Sequence, residues 1–244
     1  EETGILDDPP VRLEIRKDAK TVVAVRGIDQ WPPGGLVARD LYLDAVDCSL
    51  KPSVPAKPAS VAVEGKGVAF RFEHRFEETV DIVGPMWLTV YISTERDDVP
   101  VFVGVRKYVS GREVGFEGSY GFDRALVTHG WLLASHREVD DALSTEWEPY
   151  HPHKRSVPLS PGEVTRLDIG LLPSATRFDR GESLVLELRD RWFFPRNPLV
   201  GQFPAAYRGG SGARWMVHTG GAYESKLRIP MLNAPGSDTV TSAT

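Results

Sequence analysis

Residues 130–172 read GWLLASHREVDDALSTEWEPYHPHKRSVPLSPGEVTRLDIGLL, and the reading of this stretch decides the fold. Near its end, Thr165, Leu167, Ile169 and Leu171 fall on one side of an extended chain, and Arg166, Asp168 and Gly170 fall on the other. That period of two is the mark of a half-buried antiparallel strand. Residues 131–139 are strand-like as well. Between the two runs lies a polar and aromatic loop carrying Trp147, Tyr150, His151 and His153, punctuated by Pro158 and Pro161-Gly162. A connection this long is not a hairpin, so the pattern predicts two strands in different sheets of a β-sandwich.

The rest of the chain agrees. Val11, Leu13 and Ile15 alternate with Arg12, Glu14 and Arg16, and residues 21–25 and 37–43 are two further short runs. From residue 60 on, strands are expected over 61–64, 67–73, 79–83, 86–93, 101–109, 114–118, 126–139, 163–171, 184–189, 214–219 and 226–231. No window of ten or more residues sustains a 3.6-residue apolar period, which excludes a parallel sheet with crossover helices. With 23 Gly and 19 Pro scattered along 244 residues, the composition favours many short strands joined by turns. The Pro-rich residues 49–60 read as a connector. The expected division is therefore an N-terminal arm and connector over 1–59 packing on the sandwich, a sandwich over 60–232, and a small, polar tail over 233–244.

Composition also bounds function. A net charge of −5 without a Lys/Arg block offers no stripe for nucleic acid. No run approaches the ~18 apolar residues of a membrane span, so a soluble chain is expected, with the cytoplasm as the default compartment. The single Cys48 excludes an internal disulfide and a Cys-based zinc site. The opening Glu1-Glu2-Thr3 reads as the start of a piece of a longer product.

Few residues offer chemistry. Gly209-Gly210-Ser211-Gly212-Ala213 approaches the Gly-x-Ser-x-Gly nucleophile elbow but ends in Ala, with no helix after it, and reads as a Gly-rich loop. His151-Pro152-His153 could face one metal ion, with Glu146 and Glu148 nearby for a weak surface site, but a zinc site needs a third ligand at sensible geometry, so the pair reads as two ordinary histidines of a solvated loop. His136 and His218 read as hydrogen-bonded structural histidines. His218 is the stronger functional candidate, because Gly220-Gly221 beside it lets another surface approach. Trp147 and Tyr150 invite a sugar-stacking reading. Trp192-Phe193-Phe194 are three large apolar side chains in a row that call for a dry neighbour, with Arg189, Asp190, Arg191 and Arg196 as a charged rim. No catalytic residue, metal ligand set or cofactor motif is assigned.

Several segments taken in order carry a resemblance. They are Ile5-Leu6-Asp7-Asp8-Pro9-Pro10-Val11-Arg12-Leu13, Trp31-Pro32, Gly130-Trp131-Leu132, Ser135-His136-Arg137-Glu138 and Pro158-Leu159-Ser160-Pro161-Gly162-Glu163. Leu172-Pro173-Ser174-Ala175-Thr176-Arg177-Phe178, Asn197-Pro198, His218-Thr219-Gly220-Gly221 and Leu227-Arg228-Ile229-Pro230 complete the series. Together they resemble the C-terminal region of the X-Pro dipeptidyl-peptidase and cocaine esterase (CocE/NonD) family of serine hydrolases. The resemblance implies a jelly-roll sandwich of the galactose-binding-like type that follows an α/β-hydrolase domain. The family's catalytic serine, aspartate and histidine belong to that preceding domain and have no positions here. In esterase members a loop early in the sandwich reaches toward the acyl pocket. Residues 41–58 here are a Pro-rich connector without its Gly-Gly apolar tip. The expected role is a non-catalytic domain that packs on an α/β-hydrolase catalytic domain and walls its entrance, with homo-oligomerisation as a further role. The competing expectation is a stand-alone carbohydrate-binding module using Trp147 and Tyr150.

Overall fold

The computed structural model describes residues 8–65, 68–116, 125–193, 212 and 214–232. Among these residues fourteen strands form in chain order, three of them ten residues or longer. They are β1 (Val11–Arg16), β2 (Val22–Ile28), β3 (Leu36–Asp44), β4 (Ser49–Lys51), β5 (Ala59–Val63), β6 (Phe70–Arg75), β7 (Val80–Thr94), β8 (Pro100–Val109), β9 (Arg112–Val114), β10 (Thr128–Leu133), β11 (Thr165–Phe178), β12 (Ser183–Arg189), β13 (Trp215–Thr219) and β14 (Lys226–Leu232). The hydrogen-bonded path runs β10-β8-β12-β6-β4-β3-β14-β7-β11-β1-β2, with β13 joining β7 to β5 and β9 extending β8. Among the described residues, β1–β11 and β4–β6 are the parallel pairs.

The path folds on itself into a β-sandwich around one core. Val101, Val103 and Val105 of β8, Leu184, Leu186 and Leu188 of β12 and Leu132 of β10 point inward. They meet Leu88, Val90 and Ile92 of β7, Leu167, Ile169 and Leu171 of β11, and Leu227 and Ile229 of β14. The three-residue β4 is the narrow joint between the two sheets. The alternation read from residues 165–171 is observed, with Leu167, Ile169 and Leu171 all buried. The strands β10 and β11, which flank the long loop, do not pair with each other and lie far apart on the hydrogen-bonded path, in keeping with a connection that is not a hairpin.

Where β10 leans on β11, a side chain on Gly130 would strike the Gly170 carbonyl, so the two strands meet backbone to backbone. The Thr128 hydroxyl donates there to the Leu172 carbonyl. That carbonyl is free because β11 slips one residue against β7 between Leu171 and Ser174. Pro85 of β7, Pro173 of β11 and Pro230 of β14 all lie in the ladder's irregular stretch, where a residue without an N–H costs least. Gly84, at φ 126°, packs under Pro230. Past this bend the β1–β2 hairpin covers the sheet through Leu13 and Ile15 against Val83. Lys107, buried, fastens the hairpin: its ammonium pairs with Glu182 at 2.8 Å and donates to the carbonyls of Arg177 at 2.7 Å and Lys17 at 3.1 Å.

Three local expectations change. The strand expected over 126–139 stops at Leu133, and Ala134–His136 make one 3-10 turn. Asp98 causes the break, because its carboxylate accepts from both the N–H and the hydroxyl of Ser135, at 2.8 and 2.7 Å, and draws the chain out of the ladder. The separate strands expected over 79–83 and 86–93 are one strand, β7, since the bulge absorbs Pro85. The connector expected over 49–60 holds β4 at its start, and residues 36–51 enter the sheet path as β3 and β4. Asp47 accepts from the Ser49 N–H and hydroxyl, and Lys51 pairs with Asp44 at 2.5 Å, which closes the turn between those strands. Phe194, the 209–213 loop apart from Gly212, and the tail over 233–244 lie outside the described residues.

Candidate functional site

Alternation in a strand sends every second side chain away from the core, so the outer face of β10, β8, β12 and β6 is fixed once the core is. It carries His129 and Trp131 from β10, Phe102, Gly104 and Arg106 from β8, Val185, Glu187 and Arg189 from β12, and Arg71 from β6. Register places these side by side, with Trp131 opposite Phe102, His129 opposite Gly104, Glu187 opposite Gly104 on the other flank, and Arg71 opposite Glu187.

Trp192 and Phe193, just past β12, fold back over this face. The Trp192 ring stands perpendicular to Trp131 at 5.6 Å and edge-on to His129 at 5.0 Å and Phe102 at 6.1 Å. Such edge-to-face pairs place positive ring edges on negative ring faces. Phe193 lies over Gly104: a β-carbon there would sit 2.7 Å from its ring and 2.6 Å from Leu126 Cδ2. Glycine is thus what lets the ring settle. Trp131, Trp192 and Phe193 remain only half buried. Burial lowers the His129 pKa, so the imidazole within this group is held in its uncharged form.

Beside the aromatics, Glu187 is fully buried among three arginines. Its carboxylate accepts from Arg106 at 2.7 Å and Arg71 at 3.0 Å, and Arg189 lies at 3.4 Å. Burial opposes its charge, but the Arg106 hydrogen bond and the charges of Arg106, Arg189 and Arg71 outweigh it and lower its pKa. Arg189 shifts downward, because burial and the neighbouring Arg106 and Arg71 outweigh the attraction of Glu187. Of the residues expected as a rim, Arg189 belongs to this cluster, Asp190 accepts from the Gly212 N–H at 2.6 Å and lies 3.8 Å from Arg191, and Arg196 lies outside the described residues.

The other expected residues lie elsewhere. His218 is on β13, on the opposite sheet, with Nε2 2.8 Å from the Ser93 hydroxyl and its ring 5.4 Å from Tyr223. Burial lowers its pKa. The surface admitted by Gly220-Gly221 is the chain's own connector. A side chain on Gly220 would strike the Lys57 carbonyl, and the Gly221 N–H donates to Pro55 O at 2.9 Å. Trp147 and Tyr150 sit on the 137–164 loop, Tyr150 being 47 % exposed, and no ring contact joins them. That loop is held by Asp140 N–H to Tyr150 O at 2.9 Å and by Tyr150 N–H to the Ser144 hydroxyl at 2.9 Å.

His151 ties the loop to the sandwich: its ring nitrogens lie 2.9 Å from Glu138 O and 2.8 Å from Asp168 O. His153 lies between His136 and His151, its ring tilted against both, with centroids 5.6 and 5.8 Å away. Burial, then His151 and His136, lower its pKa. Among the described residues no three His, Cys, Asp or Glu side chains are grouped to hold a metal ion, and no helix is long and apolar enough to cross a membrane.

Sequence reasoning missed Phe102, His129, Trp131, Gly104 and Glu187 as parts of this face. The available signal was the residues alternating with the aliphatics of β8, β10 and β12: aromatic, glycine and paired charge, where a solvent face would carry scattered polar groups.

The fold has solved counterparts. A CocE/NonD family hydrolase from Staphylococcus aureus superposes with a TM-score of 0.83 at 27% identity, over 95% of this chain and 43% of its own. An aminopeptidase from a marine sediment archaeon, Thaumarchaeota archaeon, gives 0.62 at 17% identity over 86% of this chain and 39% of its own. An α-amino acid ester hydrolase gives 0.59 at 15% identity, over 92% and 41%. The chain thus spans less than half the length of each. No curated protein matches it. The model of the X-Pro dipeptidyl-peptidase C-terminal non-catalytic domain matches residues 3–228, and the chain belongs to that family.

Proposed function

We propose that this chain is the non-catalytic sandwich of a serine hydrolase of the dipeptidyl-peptidase, esterase or acylase class. An α/β-hydrolase catalytic domain of the same protein would dock on the aromatic face of β10, β8 and β12, and the sandwich would shape the substrate entrance. One observation carries the reading. Trp131, Trp192 and Phe193 are packed into a half-buried platform, with Phe193 over Gly104, next to three arginines gathered around the buried Glu187 carboxylate. A platform of this kind has the anatomy of an interface core, with aromatic anchors inside a polar rim. The family and the S. aureus hydrolase, more than twice this chain's length, support a catalytic neighbour.

The test is reconstitution. The chain and the catalytic portion encoded with it are produced separately, and their association is measured by calorimetry. Binding that Trp192→Ala abolishes or weakens at least tenfold supports the reading; binding indifferent to the aromatic face overturns the docking site. Titration of the isolated chain with p-nitrophenyl acetate should show no burst of an acylated serine. Saturable glycan binding lost in Trp147→Ala would instead favour a carbohydrate module, for which Trp147 and Tyr150 form no shared platform.

A further inference from the structure

A neutral imidazole has one N–H to donate, and its other nitrogen carries a lone pair. Both nitrogens of His151 face acceptors: Nδ1 lies 2.9 Å from the Glu138 carbonyl and Nε2 lies 2.8 Å from the Asp168 carbonyl. The two contacts are satisfied together only when the ring carries both protons. We propose that His151 is a proton-operated latch. In its charged form it fastens the 137–164 loop to the free edge of β11, and it releases that hold when the ring loses a proton.

The edge explains why a donor is needed there. One side of β11 pairs with β7, while on the other side β1 reaches it only at Thr176. Among the described residues no strand pairs with that second side over residues 165–172. Side chains and close packing stand in for the missing strand. The Leu172 carbonyl takes the Thr128 hydroxyl, the Gly170 carbonyl lies against Gly130, and the Asp168 carbonyl takes His151. Glu138, at the other nitrogen, follows the 3-10 turn after β10. One ring thus joins the turn, the loop and β11. Losing a proton would aim a nitrogen lone pair at a carbonyl oxygen, so a bond would be replaced by repulsion.

The charged groups around the ring favour this use. On the loop side, Glu148 lines the same cavity as His151 and adds a negative charge. From β11, the Asp168 carboxylate is engaged by Thr89, the Trp87 indole and Arg166. The Glu138 carboxylate is paired with Arg155 and also feels Lys154. His136, from the 3-10 turn, faces His153, whose ring lies 5.8 Å from His151. Burial, then the charges of His151 and His136, lower the His153 pKa, so His153 does not compete for the proton. From β10 comes Trp131, which does not titrate and which also belongs to the aromatic platform, so the latch reaches the platform's flank.

The far end of the loop has ties of its own. Val157 N–H donates to Ser135 O at 2.8 Å and Leu159 N–H to Asp97 O at 2.6 Å. Proton loss therefore loosens residues 138–151 and leaves the rest in place. Because the charged ring is the form that binds, the latch is closed at low pH and opens as pH rises through the ring's own transition.

The test follows the 15N-labelled protein by NMR across a pH series. Long-range imidazole spectra report whether each ring nitrogen carries a proton. Hydrogen exchange of the Asp140 and Thr145 amides, which donate to Tyr150 O and Glu148 O inside the loop, is corrected for the intrinsic rate and measured in parallel. Protection of both amides should fall about tenfold, with the same midpoint as the loss of the second His151 proton. His151→Gln should give low protection without that step, and His153→Gln should keep the step. The wild-type midpoints need no variant, so the test holds even where His151→Gln disturbs the loop. A His151 ring with one bare nitrogen while the amides keep full protection overturns the latch. So does a step that follows another histidine or survives His151→Gln.

Discussion

The two outer faces of the sandwich start from the same strand alternation and end in opposite surfaces. On β3, β14, β7 and β11, each charge is answered by a neighbour on the same face. Asp40 accepts from Lys226 at 2.6 Å and Arg228 at 2.9 Å; Asp168 accepts from Thr89 at 2.7 Å, the Trp87 indole at 3.0 Å and Arg166. The 137–164 loop then covers part of it through His151. On β10, β8 and β12, Glu187 gathers three arginines, and the aromatic group beside them stays partly exposed. A polar face whose hydrogen bonds close within the sheet needs nothing further, whereas open aromatic area gains from meeting an apolar neighbour.

The largest effect that would sharpen this contrast is at Glu187. Replacing it with Ala removes the counter-charge from Arg71, Arg106 and Arg189 on a buried site. About 3–5 kcal/mol of stability should be lost, read from urea denaturation. The same residue gives a pH signature. Its folded pKa is lowered, so its stabilisation is complete above the unfolded carboxylate range and is lost as pH falls through the folded value. Glu187→Gln should therefore remove the part of the wild-type acid limb that this group supplies.

Next comes Trp192→Ala. It should cost about 2 kcal/mol of docking to the catalytic portion, near thirtyfold in Kd, while urea stability falls less, because the ring is only half buried. An equal loss of stability and docking would break the distinction between platform and core. Gly104→Ala should rank third. The atoms nearest the new methyl are a leucine tip and the Phe193 ring, so the fold yields by about 1 kcal/mol while Phe193 is displaced, visible as a changed near-ultraviolet dichroism. The smallest is Arg166→Ala on the opposite face. Its side chain is 54 % exposed, and the urea midpoint should move by well under about 1 kcal/mol. A large loss there would mean that the polar face is not self-sufficient.

Much of the fold was legible because a strand's period is local. Leu167, Ile169 and Leu171 announce their face without reference to any other segment. The candidate face was legible only in part. Trp192 and Phe193 stand out as adjacent bulk. Trp131 and Phe102 look like ordinary strand aromatics until register sets them opposite each other. Glu187 looks like a solvent-facing residue of a half-buried strand, and only the arginines of β6 and β8 make its burial tolerable. His218 shows the converse: the glycines beside it promised a visitor, and the chain's own Pro55–Pro58 segment takes the place.

By itself, the order of residues determined an all-β chain, its inward faces and its family, since alternation, turn residues and motif order are properties of neighbours along the chain. Tertiary structure decided which outward faces close on themselves and which stay open. That outcome depends on strand register, on bulges such as the one freeing the Leu172 carbonyl, and on where glycine lets another backbone or ring come close. Those are relations between segments distant in sequence, and they are set only when the whole core packs.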